Sequence, residues 1–139
     1  MSTRLEKPTS NQDFFDKAWK WLIIDASPRC VDHNRFCKYR RNNGLEDDTC
    51  IAGAFIPDEL YARIGSKIEG SNVAHICDPH AGDKHSPELA EIFKAVTPEL
   101  LKRVQQVHDD PETGPNMERR QEEMRTIAQV CNLQVPQPA

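Results

Sequence analysis

The sequence predicts an α+β fold, mostly helical, with about five helices packed around one short β-hairpin. Three observations predict it. Apolar residues recur at helical spacing in several separate stretches. Two stretches open on the same helix-start signature, Ser86-Pro87-Glu88 and Thr97-Pro98-Glu99: a cap residue, a proline and an early carboxylate. Between the first helix and these, a short strand candidate at residues 36–40 and an apolar run from Thr49 to Ile56 lie on either side of Asn43-Gly44, a pair that supplies the positive φ angles of a tight turn.

Residues 1–9 are polar and carry Pro8, which predicts a flexible arm; residues 10–133 read as a single globular domain and residues 134–139 as a flexible tail. Ser10 or Asn11 can cap the first helix, with Asp13 at the positive end of its dipole. Phe15, Ala18, Trp19 and Leu22 form its stripe, while Phe14, Trp21, Ile23 and Ile24 fall outside it, so the helix is apolar on most sides; Ser27-Pro28 ends it. Residues 36–40 are the first strand and Thr49 to Ile56 the buried return strand, with Gly53 marking a bulge or close backbone approach. Pro57-Asp58-Glu59 opens a short helix carrying Leu60, Tyr61 and Ile64 and closed by Gly65. Residues 67–85 have no period and read as a long loop. Leu89, Ile92, Phe93 and Val96 line the next helix, and Leu100, Leu101, Val104 and Val107 the one after. Met117, Met124, Ile127, Ala128 and Cys131 share one side of the last.

A chain of 139 residues buries roughly 70% of its unfolded surface and needs no metal or disulfide merely to fold. Charged residues are 29% and of both signs, with a net charge of −4, and the densest basic run is Lys38-Tyr39-Arg40-Arg41. That argues against nucleic-acid binding through a broad basic face. The longest apolar run, Trp21 to Ile24, is far too short to span a bilayer, and the N-terminus is not a signal peptide. The odd number of cysteines (Cys30, Cys37, Cys50, Cys77, Cys131) argues against a disulfide framework, so the expected location is the cytoplasm.

Two clusters offer ligand chemistry. Cys30, His33, Cys37 and Cys50 are soft ligands of the kind zinc prefers, but their gaps match no common zinc finger; the reading favoured over metal is that Cys37 and Cys50 face each other across the hairpin as small buried residues. His75, Cys77, His80 and His85, with Asp78 and Asp83 among them, offer a metal site or a Cys/His hydrolytic pair with Cys77 as nucleophile. Against that, no regular element fixes their spacing, and a catalytic site needs rigid placement. Asp58-Glu59 and His108 to Asp110 suit helix ends, where the dipole explains them without chemistry. A phosphate-cradling Gly loop, a G-x-S-x-G elbow and an H-E-x-x-H pair are all missing from the sequence. The balance favours no enzyme and no cofactor, with zinc as the alternative.

The hairpin carries a resemblance. Cys37-Lys38-Tyr39-Arg40, then Gly44, then Cys50-Ile51-Ala52-Gly53-Ala54-Phe55-Ile56-Pro57-Asp58-Glu59-Leu60-Tyr61 resembles a family of small phage and prophage proteins. That family's pattern is C-x-Y-R, a Gly turn, then C-A-x-G-x-x-I-P-D-E-x-Y. Ile68-Glu69-Gly70, Leu101 to Asp109 and Ile127-Ala128 with Leu133 continue it more loosely, so it covers most of the chain from Phe15 onward. The chain departs from the pattern at Ala52-Gly53-Ala54, where a further Cys can occur, and by its extra Cys30, His33 and His-rich stretch. The resemblance implies a phage origin and a compact α+β fold. It implies no reaction, because the family has no assigned activity.

The function expected from these readings is that of a phage-encoded accessory protein. It would act by binding a host protein, as an inhibitor of an antiviral defence system in the manner of anti-CRISPR proteins. The alternative is a zinc-binding or Cys/His hydrolytic protein using the Cys30–Cys50 or the His75–His85 cluster. The expected contact surface is the stretch 67–85, with Ile68, Val73 and Ile76 as apolar anchors and His75, His80 and His85 making binding sensitive to pH.

Overall fold

The computed structural model of the chain describes residues 5–25, 40–42, 47–49, 51–68, 73–109, 113 and 116–136. The fold is helical rather than α+β. Six α-helices appear among these residues: α1 (Asn11–Trp19), α2 (Asp58–Ile68), α3 (Val73–Cys77), α4 (Pro87–Ile92), α5 (Pro98–Asp109) and α6 (Met117–Val130). The predicted return strand is where the α+β reading fails. Ile51 and Ala52 form a turn that runs into a 3₁₀ segment, Gly53–Phe55, closed by Phe55 N–H to Ala52 O and Ile56 N–H to Gly53 O, each at 3.1 Å. A short apolar run reads equally as buried strand or buried helical turn. Here the low strand propensity of Ala52-Gly53-Ala54 decides it. What pairing exists is a three-residue ladder of Arg40–Asn42 against Asp47–Thr49, antiparallel with Arg41 opposite Asp48. Its residues are all polar, so it adds no layer to a core. The predicted first strand, residues 36–40, and the turn at Asn43-Gly44 lie outside the described residues but for Arg40.

The helix starts form as the sequence encodes them. Ser10 Oγ accepts from Asp13 N–H at 3.0 Å, Ser86 Oγ from Leu89 N–H at 3.2 Å and Asn116 Oδ1 from Arg119 N–H at 3.2 Å. Asp13 Oδ2 reaches back to Thr9 N–H at 2.9 Å, completing a reciprocal cap. At the other end of the chain α6 closes on Asn132, whose φ of 58° suits a short polar side chain, with Leu133 N–H donating to Ala128 O at 2.7 Å and Asn132 N–H to Gln129 O at 3.4 Å. This left-handed cap turns the chain back toward α1.

One apolar core joins every helix. Phe14, Phe15, Ala18 and Leu22 meet Ile51, Phe55 and Ile56, then Ile76, Leu89, Phe93, Leu100, Val104, Met124 and Ile127, all buried. Phe14, Phe55 and Phe93 form its centre, with ring centroids 5.4, 6.3 and 5.7 Å apart. The stretch expected as a long loop is mostly helical. It supplies α3, whose Ile76 is fully buried, and a 3₁₀ segment Pro79–Lys84 that breaks at Gly82 with φ 64°. Residues expected at a flexible arm and tail pack on the domain: Leu5 N–H donates to Ala54 O at 3.1 Å, Pro8 is buried, and Gln12 grips Gln134 by two hydrogen bonds, of 2.8 and 2.9 Å.

Candidate functional site

The structure separates the residues of the expected contact surface. His75 is exposed on α3, and His80 is exposed with its N–H donating to Asp78 Oδ1 at 2.9 Å. Ile76, next to His75, belongs to the core and offers no surface. His85 is half-buried; its Nδ1 lies 3.1 Å from Ile76 O, which can only accept, so that nitrogen carries the proton in the bond. Ile68 and Val73 close α2 and open α3, and their side chains lie outside the described residues. Cys77 is half-buried, and burial pushes its thiol up to about 11, the opposite of what a thiolate nucleophile needs. Among the described residues, no three His, Cys, Asp or Glu side chains come together to hold a metal ion. Cys30, His33, Cys37 and Cys50 lie outside the described residues.

A different region has the shape of a binding site. Beyond Trp19 the first helix widens into a π-turn, Lys20–Ile24, closed by Asp25 N–H to Lys20 O at 2.8 Å. Such single wide turns recur at functional sites. The extra residue in the turn keeps Leu22 in the core and leaves Ile24 59% exposed. Under the turn sits Arg120 of α6, only 3% exposed, donating from Nη1 to Leu22 O at 2.9 Å. It satisfies a carbonyl that the ending helix would leave without a partner. Burial lowers the Arg120 pKa, and the carbonyl contact is part of what offsets that desolvation. Trp21 Nε1, in the same turn, is buried and has no hydrogen-bond partner among the described residues; nothing in the structure explains it.

The π-turn, α6 and the returning chain end enclose a groove of about 370 Å³, lined by Trp19, Ile23, Ile24, Gln121, Arg125, Val135 and Pro136. Its floor is apolar. Its one lining cation is Arg125, whose guanidinium carbon lies 5.8 Å from the centre of the Trp19 ring. Gln121 and Arg125 are shared with a shallower depression along α6 that also exposes Glu118 and Glu122. A third depression, about 470 Å³ between α5 and α6, sets Val107 and Ile127 among Arg103, Glu123, Gln106 and Thr126, so its lining is polar and apolar in about equal parts.

Sequence reasoning missed this groove, although its signal was present. Ile23 and Ile24 fall off the apolar stripe of the first helix, and apolar residues off a stripe are either buried by a change of helical pitch or left for something else to cover. No known family, curated protein or solved structure matches the chain. Among the described residues, no helix is long and apolar enough to cross a membrane.

Proposed function

We propose that this chain is a non-enzymatic accessory protein that acts by binding another protein. In the phage setting that the sequence resemblance of residues 37–61 implies, the partner is a host protein of an antiviral defence system. The observation that carries the reading is the open apolar groove at the π-turn, with Ile24 exposed beside Trp19 and Arg125. An apolar patch rimmed by polar groups is a common mark of a protein contact, and Arg is among the residue types that most often dominate such contacts; Trp19, 7% exposed, offers the groove an edge of its ring. The state of Cys77 supports the non-enzymatic half, because a thiol pushed up to about 11 stays protonated and is a poor nucleophile at neutral pH.

The test is saturable capture. Immobilised protein should retain one host protein in stoichiometric amount from a host lysate, and free chain added in excess should compete it away. If nothing is retained that the free chain displaces, the protein-binding reading is wrong.

A further inference from the structure

We infer that the groove at the π-turn receives a short segment of the partner that carries a bulky apolar residue, an adjacent carboxylate and, further along, basic side chains. This rests on the protein-binding reading above. The apolar residue would seat against Trp19, Ile24 and Val135, the carboxylate on Arg125, and the basic groups opposite Glu118 and Glu122.

Charge is the first ground. Arg125 makes no ion pair with any described residue, although Glu122 stands one turn before it on α6. Lys20, on the neighbouring π-turn, is occupied by Asp25 at 3.0 Å. Arg125 therefore sets the sign of the groove. A guanidinium held over an aromatic face keeps its in-plane donors for a carboxylate. Shape is the second ground. The apolar groove and the Glu118–Glu122 depression meet at Gln121 and Arg125, so together they form one trough along α6 with apolar, positive and negative sections in that order. A trough patterned in this way matches an extended segment better than a compact small molecule. Rigidity is the third. Arg120 holds the floor through Leu22 O, and the Gln12 side chain holds the wall through both backbone groups of Gln134. A partner segment would then bind without first ordering the site.

The experiment uses the full chain and a blocked synthetic peptide with two Leu, a Glu, a short Gly/Ser spacer and two Lys, titrated calorimetrically. A second peptide replaces the Glu by Lys. The acidic peptide should bind saturably, and Arg125→Glu or Ile24→Asp should each weaken it at least about tenfold, roughly 1.4 kcal/mol. The Lys-substituted peptide should fail on the natural chain and bind Arg125→Glu. Circular dichroism confirms that both exposed-site variants stay folded. Absence of heat with the acidic peptide, equal binding of the two peptides, or binding unmoved by Arg125→Glu overturns the inference. So does saturable binding of decanoate with no peptide binding, or self-association of the chain lost in Ile24→Asp. Host-partner capture by Arg125→Glu separates this inference from the broader reading. Capture equal to that of the natural chain removes the groove and leaves protein binding standing, whereas no capture by the natural chain removes the broader reading itself.

Discussion

Cys77 and Asp13 show how local surroundings set what a side chain does. Relative to its ordinary value of 9.0, a Cys77 thiol pushed up to about 11 holds about 100-fold less thiolate at pH 8. Iodoacetamide should therefore modify Cys77 at least tens of times more slowly in the folded chain than in guanidinium, as followed by peptide mapping; equal rates would mean the thiol is not shielded. Asp13 is shifted the other way. The Lys17 ammonium, donating to Asp13 Oδ2 at 2.8 Å, leads in holding its carboxyl below the ordinary 3.8, with help from the Thr9 N–H. Its folded pKa lies below its unfolded one, so the stability it contributes is fully present above the unfolded value and is lost as pH falls through the folded one. Asp13→Asn should lower the melting temperature at pH 7 and close most of that gap below about pH 3, with the cap itself contributing on the order of 1 kcal/mol. A gap constant down to pH 2 would mean the carboxylate's charge contributes nothing. At this scale the caps were legible from sequence because a cap depends on a few neighbouring residues. Ile76 was not. A helix of five residues, Val73–Cys77, is too short to show a period, so its core residue Ile76 reads as a loop anchor.

At the scale of elements, the aromatic centre ties together pieces far apart in the chain. Phe14 comes from α1, Phe55 from the 3₁₀ segment, and Phe93 caps α4. All three are at most 2% exposed. Phe55→Ala should cost about 3–5 kcal/mol by removing a buried ring and leaving a cavity between the other two. Denaturant unfolding measures it, and a loss below 1 kcal/mol would mean that the 3₁₀ segment is not anchored by its ring. The segment also explains where the strand reading went astray. Thr49 to Ile56 is apolar and bounded by polar residues, which defines burial but not conformation. Burial was predicted and is found: Ile51, Ala52, Ala54, Phe55 and Ile56 are all buried. The conformation depended on neighbours that pattern alone does not reveal. The π-turn was illegible for a related reason. It is held by the Arg120 contact to Leu22 O, a pairing 98 residues apart in sequence.

For the whole molecule, the α+β reading rested on a hairpin that yields only a polar three-residue ladder, while the helical part of that reading carried over with one helix added. Helix periodicity survives translation into structure because it records one-sided burial, and in this chain burial is what organises the fold. The zinc alternative remains a matter of composition. Elemental analysis of protein purified without added metal should find far less than one zinc per chain, since the spacing of Cys30, His33, Cys37 and Cys50 matches no common zinc finger. One zinc per chain, lost together with the fold on chelation, would reverse that expectation. Removal of residues 134–139 should leave the helical far-ultraviolet signal intact and lower stability by about 1–2 kcal/mol through the lost Gln12 hydrogen bonds, while abolishing peptide binding. Full peptide binding by the shortened chain would show that Val135 and Pro136 do not form the wall.

That wall lies beyond the last helix, clasped by Gln12 and only half-buried, with Val135 packed on the edge of the core and not within it. Positions 135 and 136 can therefore accept substitutions that the helices could not. Under selection from a changing partner, these two side chains can vary quickly while the helical scaffold stays conserved. Divergent versions of such a protein would keep Phe14, Phe55 and Phe93 and differ first at their ends.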